Sequence, residues 1–392
     1  MAIKRYIAYK DTTITNAFKS NLTNRGTGSN MGLSDVVEVF SIYAQADSGS
    51  TELSRALLDF RVTASSDSIY ADRNSGVIPA SGSVDFYLRL YNAKHAFTLP
   101  KNFTLVVAPV SKSWSEGPGL DMEGYSDLES ANWVSGSSGS AWTNYGGDFH
   151  TGAYSAGNTL PMVSASFEEG FEDLEINITS LVEEWLGNLH PLTGDLHARN
   201  QHGIGIYLTS SQEAFFSSST GLDDTSTFEI HNLSGSRASR YTKKFFARGT
   251  EFFYKRPAIE ARWDSSKKDN AKNFYLSSSL VSATDNLNTL YLYNFVRGQL
   301  KDIPNLGADN SVLLSVYSSS LGTGDKITLP VGGGTAANDD FNVTGGVTDT
   351  GIYSASFAYT ASSTTIYPVW HSGAANAIEF HSASTITVNS FA

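Results

Sequence analysis

The feature that most restricts this chain is the two-residue alternation of its apolar side chains. In Val84–Tyr91, one face carries Val84, Phe86, Leu88 and Leu90, and the other Asp85, Tyr87, Arg89 and Tyr91. A period of two belongs to a half-buried β-strand, because successive side chains leave a pleated backbone on opposite sides. The pattern recurs. Leu58, Phe60 and Val62 share a face against Asp59 and Arg61; Ile204, Ile206 and Leu208 alternate with Gly205 and Tyr207; Ile259, Ala261 and Trp263 alternate with Glu260 and Arg262. Leu105–Val110 is more continuously apolar and is expected deeper, with Pro109 at its end or on an edge, since proline cannot donate to a ladder.

Only one segment reads as helix. Ser180 and Glu183 have the spacing of a capping box, Leu181, Val182, Trp185 and Leu186 form a narrow apolar stripe, and Gly187 can end the turn in a left-handed conformation. About two turns need packing to persist, so this helix is expected to plug one end of a sandwich. Between Trp114 and Ser166 the chain is rich in Gly, Ser and aromatics, Tyr125 included, and reads as a long excursion, with 115–170 inserted into the first β unit. Asp264–Lys272 is a polar, charge-rich linker. The expected organisation is therefore all-β: a jelly-roll-like sandwich over 1–265 and an Ig-like sandwich over 273–392. Strands of the second unit are expected at 290–295, 312–317, 351–357, 365–370 and 385–388, with turns at Gly332–Gly334 and Gly345–Gly346.

Composition narrows the function. Hydrophobic residues reach 40% of the 392 and aromatics 12%, enough for a sizeable core, while charged residues are only 17%. A net charge of −12 lacks the basic footprint of a nucleic-acid binder. No run of ~18 apolar residues marks a membrane span, and the N-terminus lacks the apolar core of a signal peptide. The absence of cysteine excludes disulfides and thiolate metal sites. The sequons at Asn21, Asn102, Asn177, Asn232 and Asn342 are then chance products of a Ser/Thr-rich chain. An extracellular-looking composition without export or cross-links fits a virion protein, made in the host cytoplasm and freed by lysis.

No motif commits the chain to chemistry. Trp114 and Glu116 would need a second carboxylate about 5–10 Å away to cleave a glycoside; Asp121 and Glu123 are near in sequence but sit on a Gly/Pro-rich loop. Trp114 is read as strand-end packing and Glu116 as solvated or bound to loop backbone. Glu168–Asp173 and Asp339–Asp340 lack calcium-loop spacing, and His190, His197 and His202 fit no zinc pattern. The expectation is no catalytic residue, no metal and no cofactor. Trp133, Trp142, Tyr145 and Tyr154 are expected to be exposed and are the candidate contacts, with a protein partner favoured over a glycan. Lys243, Lys244, Arg248, Lys255 and Arg256, interleaved with Phe245, Phe246, Phe252, Phe253 and Tyr254, are read as a strand edge or subunit contact rather than a nucleic-acid site.

Three resemblances add to this. Asp11–Ile14, Arg55–Phe60, Ile78–Pro79, Val106–Glu116, Leu174–Trp185, Gly203–Ile206 and Arg256–Trp263 resemble, in that order, the DNRLRE-type β-sandwich, a jelly-roll related in shape to carbohydrate-binding modules. Asp349–Tyr353 resembles the tyrosine corner of Ig-like sandwiches, with Ala355 where a cysteine would stand. Lys243–Pro257 and Asn288–Gly298 resemble virion structural proteins of tailed phages that infect cyanobacteria and other aquatic bacteria. The last implies a non-enzymatic neck, tail, baseplate or fibre-associated component, a homo-oligomer with other virion proteins as partners and neither nucleic acid nor membrane. The alternative is a module of a tail fibre or capsid decoration that binds host surface polysaccharide. A polysaccharide-cleaving enzyme built on Glu116 ranks third.

Overall fold

A computed structural model of the chain describes residues 2–63, 66–94, 101–124, 129–151, 161–187, 201–278, 280–282, 286–306, 310–320, 325–329, 341–372, 379–382 and 384–390. The chain divides into two compact units, Met1–Ser265 and Ser266–Ala392. Strand is the dominant element in both, and the protein is an all-β sandwich fold.

The first unit contains β1 (Ala2–Ile7), β2 (Lys10–Thr15), β3 (Val36–Tyr43), β4 (Thr51–Asp59), β5 (Asp85–Leu90), β6 (Phe103–Pro109), β7 (Ser135–Ser137), β8 (Ser140–Ala141), β9 (Val163–Phe167), β10 (Leu174–Asn177), β11 (Ile204–Leu208), β12 (Arg240–Phe246) and β13 (Ala258–Trp263). One sheet runs β1-β13-β5-β10; a larger one runs β12-β3-β4-β11-β6-β9, with β2 also paired to β4. The main core joins the two, and the alternating residues enter it as the sequence predicts: Phe86, Leu88 and Leu90 from β5, Leu58 from β4, Phe103, Leu105 and Val107 from β6, and Ile204, Ile206 and Leu208 from β11. Pro109 ends β6.

Helix α2 spans Thr179–Trp185 and buries Leu181, Val182 and Trp185. The capping box does not form. The helix begins before Ser180 with no side-chain cap, because its entry is tied instead to β5: Ile178 N–H donates to the Phe86 carbonyl at 2.8 Å. Phe86 N–H in turn donates to Thr179 Oγ1 at 2.8 Å. Glu183 turns outward to a two-pronged ion pair with Arg73. Arg73 lies on α1 (Ile69–Asn74), a helix of under two turns that the sequence reading left out; Ser68 Oγ caps it by accepting from Ala71 N–H at 3.1 Å. Gly187 follows α2 at φ +77°, as its position suggested.

Strand β4 is buried along its whole length, against the expectation of one solvent face. Ala56 and Leu58 point to the main core, while Leu53 and Leu57 point to a second cluster with Ile14, Val110, Trp114, Trp133 and Trp142. The segment expected as an open excursion is thus a covering layer on the larger sheet, and its last part, β9, is that sheet's edge strand. Gly205 of β11 shows how close the layer lies: a Cβ there would sit 2.0 Å from Phe149 Cε1. The Phe149 ring also packs on Tyr207 at 4.9 Å.

The second unit contains β14 (Phe274–Tyr275), β15 (Asn288–Tyr293), β16 (Phe295–Val296), β17 (Gln299–Leu300), β18 (Val312–Tyr317), β19 (Asn342–Asp349), β20 (Ile352–Phe357), β21 (Thr365–His371), β22 (Glu379–Ser382) and β23 (Ile386–Asn389). One sheet in the order β14-β23-β21-β18-β19-β20-β15, with β22 on β21, curls around a core of Phe274, Leu314, Tyr353, Phe357, Tyr359 and Trp370. It nearly closes. Its end strands meet through side-chain amides: Asn288 accepts from Tyr275 N–H at 3.0 Å and donates to Tyr275 O at 2.8 Å. Asn286 does the same for Ser278. Tyr353 is fully buried, and its hydroxyl accepts from Ile303 N–H at 2.9 Å, a tie to backbone 50 residues upstream. The expected turn at Gly332–Gly334 lies outside the described residues, and the one expected at Gly345–Gly346 is instead the middle of β19, where Gly345 pairs with Val312 and Gly346 with Ser354.

Gly205→Ala is expected to destabilise the first unit by about 1–3 kcal/mol through overpacking against Phe149. Urea unfolding followed by tryptophan fluorescence measures this.

Candidate interaction surface

The four aromatics singled out in sequence do not form an exposed platform. Trp133 has 0% of its surface exposed and Trp142 6%, and Tyr145 is half-buried beside them. Tyr154, like Tyr125, lies outside the described residues. The expectation of exposure fails for Trp133 and Trp142 because the rings fill the space between the covering layer and β4. Trp133 Nε1–H donates to Phe228 O and Trp142 Nε1–H to Asn132 O, each at 2.9 Å. Gly146, at φ +79°, allows the chain to pass over Trp133, where a Cβ would come within 2.7 Å of the ring.

Arg55 is the hub of this second core. It lies on the outward face of β4, and its guanidinium meets Glu213 through Nε at 3.1 Å and Nη2 at 3.0 and 3.1 Å. Nη1 donates to Gly146 O at 3.2 Å. The same guanidinium faces the rings of Tyr207 at 4.9 Å, Trp133 at 5.6 Å and Phe149 at 5.7 Å. Burial pushes the Glu213 carboxyl up, and the Arg55 charge opposes the shift.

The Trp114–Glu116 segment is similarly closed. Trp114 is buried, donates its Nε1–H to His202 O at 2.9 Å and lies under Lys10 Nζ at 4.6 Å. Glu116 accepts from Asp11 N–H at 2.8 Å and pairs with Arg248 at 2.7 Å. Asp11, which sequence spacing does not link to Glu116, accepts the Arg248 N–H, and its Oδ1 is buried with no hydrogen-bond partner among the described residues. Burial pushes its carboxyl up to about 7 from 3.8; the Arg248 N–H opposes this and the Glu116 charge adds to it. Asp121 and Glu123 bind backbone amides, of Glu123 and Gly124 in the first case and Ser20 in the second. His190, His197 and Asp339–Asp340 lie outside the described residues.

The basic run divides between buried and exposed roles. Lys243 is buried: Nζ donates to Asn92 Oδ1 at 2.8 Å, Gly170 O at 3.0 Å and Glu172 O at 2.6 Å. Burial lowers its pKa to about 8. It thereby fastens the acidic loop 168–173, where Glu172 Oε1 also accepts from the N–H groups of Glu168 and Glu169. Lys244 pairs with Glu38.

Beyond β12 the chain makes a one-turn 3-10 helix, Phe253–Lys255, and here the rings face water: Phe252 is 49% exposed, Phe253 56% and Tyr254 77%. The turn is fixed from below. Arg256 donates to Thr250 O at 3.1 and 3.2 Å, and both Nη atoms of Arg5 donate to Tyr254 O at 3.2 Å. Pro257 holds Arg256 extended at φ −61°, ψ 145°, which ends the turn and starts β13. Single exposed apolar side chains are ordinary, whereas three adjacent exposed aromatics on a fixed turn form an apolar patch. The sequence reading offers a strand edge or a subunit contact for these residues, and of the two the strand edge does not hold for Phe252–Tyr254, which lie beyond β12. The signal against it was three aromatics in succession without alternation, directly before Lys-Arg-Pro.

Comparison with protein-family models, curated proteins and solved structures finds no match to this chain. Among the described residues, no helix is long and apolar enough to cross a membrane.

Arg55→Ala leaves Glu213 buried without its partner and is expected to cost about 3–5 kcal/mol, read as a lower urea midpoint. Asp11 carries a sign that can be checked. The folded protein holds a proton that the unfolded chain releases, so the contribution of Asp11 is full below pH 3.8 and declines as pH rises through about 7. Asp11→Asn removes that decline, and its urea midpoint should gain progressively on wild type between about pH 4 and 7 and hold the gain above that.

Proposed function

We propose that this protein is a non-enzymatic structural component of a tailed-phage virion, placed at the neck, tail, baseplate or fibre and held by protein–protein contacts. The observation that carries the reading is the Phe252–Tyr254 turn, where three successive rings are exposed on one fixed turn while Trp114, Trp133, Trp142 and Trp185 are packed inside. A surface fixed by Arg5 and Arg256 loses little conformational freedom on docking, which favours a permanent contact. The sequence resemblance to phage virion proteins falls partly on the same residues, Lys243–Pro257, and supports the same reading.

One feature favours the glycan alternative. A groove of about 610 Å³ is bordered by Trp142, Asn144, Tyr145, Asp223, Thr225 and His231, a mixture of rings and polar groups suited to a sugar. Trp142 contributes little open surface there, so the assembly reading is preferred.

Purified particles test the choice. Wild-type chain is expected to sediment with them, and Phe253→Ala/Tyr254→Ala, with its thermal midpoint unchanged, to be lost by about thirtyfold or more, as for two contact hot spots. Wild-type chain left in the soluble fraction overturns the reading. Binding to host polysaccharide that Tyr145→Ala abolishes, with the double variant still in particles, transfers the assignment to the groove.

A further inference from the structure

We infer that the exposed aromatic turn has a second copy of this chain as its partner, with Phe171 and the acidic loop of each copy set against Phe253, Tyr254 and Lys255 of the other. The inference rests on the assembly reading above and names the occupant of the same surface.

Three observations lead to it. Phe171 is 60% exposed at the tip of loop 168–173, the largest exposed ring of an acidic segment. That loop is as firmly held as the aromatic turn, by Lys243 from beneath and by Glu172 across its own amides. The two sites also share one border of the unit. Tyr254 O is held by Arg5, Arg5 lies 5.7 Å from the Tyr91 ring, Arg89 lies 5.1 Å from the same ring, and Arg89 reaches Asp173 at 3.7 Å.

Charge supplies the complementarity. Among the described residues, Lys255 and Arg256 have no carboxylate within ion-pair distance, and Glu168 has no cation. A patch with an aromatic-acidic end and an aromatic-basic end matches itself after a twofold rotation, and the contact then forms twice. In a chain of net charge −12, two copies repel unless cations are placed at the contact. The exposed parts of Phe171, Phe252, Phe253 and Tyr254 offer on the order of 400 Å² per copy, about half of what a stable interface buries on each side, and the charged border supplies the remainder.

Charge reversal in the full chain tests this by sedimentation equilibrium. Wild type is expected to dimerise, less tightly at high salt. Lys255→Glu and Glu168→Lys, both surface changes, are each expected to weaken it at least about tenfold. Mixed together they should restore it, because each contact in the mixed dimer again pairs opposite charges. Restoration shows that neither variant is misfolded. Self-pairing is overturned if wild type is monomeric over a roughly hundredfold concentration range, or if mixing restores nothing. If wild type is monomeric while Phe253→Ala/Tyr254→Ala still leaves particles, the surface belongs to another virion protein and the assembly reading survives. If particle incorporation is also unaffected, both fall.

Discussion

The ion pair between Arg55 and Glu213 governs the architecture of the first unit. Strand β4 is buried on both faces, and alternation places Leu53, Arg55 and Leu57 on the side away from the main core. A guanidinium there is tolerated only if its charge is met and its donors are filled. Glu213, Gly146 O and three aromatic rings do this together, drawn from two stretches of the chain, 133–149 and 207–213. The residues that neutralise Arg55 also hold the covering layer down. That is why Trp133 and Trp142 are interior side chains, and why exposed aromatics of the first unit are concentrated elsewhere.

What could be read from the sequence follows from the range of the interactions. Alternation is local, and the core faces of β5, β6, β11 and β13 were legible from it. So was the apolar stripe of α2. Its start was not, because the Ile178 N–H and the Thr179 hydroxyl are bonded to Phe86 on β5, a partner no local pattern reveals. Trp133 and Trp142 were misjudged for the same reason: glycine and serine around them suggested an open loop, and only the covered outer face of β4 shows where the rings go. The joining of Asp11 to Glu116 and Arg248 spans more than 100 residues of sequence, and no spacing rule reaches that far. The aromatic turn was visible as a composition, but alternation could not tell a strand edge from the turn that follows β12.

The cations show an economy of a different kind. Several have structural duties: Lys243 replaces water for three acceptors, Arg248 binds Glu116, and Arg5, Arg89 and Arg262 join with Glu260 and Glu175 in a ladder of ion pairs across the smaller sheet. On that sheet the guanidinium groups also cover Tyr87 and Tyr91, which removes those rings from the surface available to a ligand. An acidic protein that engages its positive charge internally is left with few places where an anionic surface can approach.

The amide seam of the second unit has a consequence for crowding. Open sheet borders are templates for strand exchange and fibril growth when many copies are held close together. Here Asn286 and Asn288 occupy the backbone groups of Tyr275 and Ser278 that a foreign strand would need. A domain sealed in this way can be packed at high local density without recruiting its neighbours into continuous β-structure.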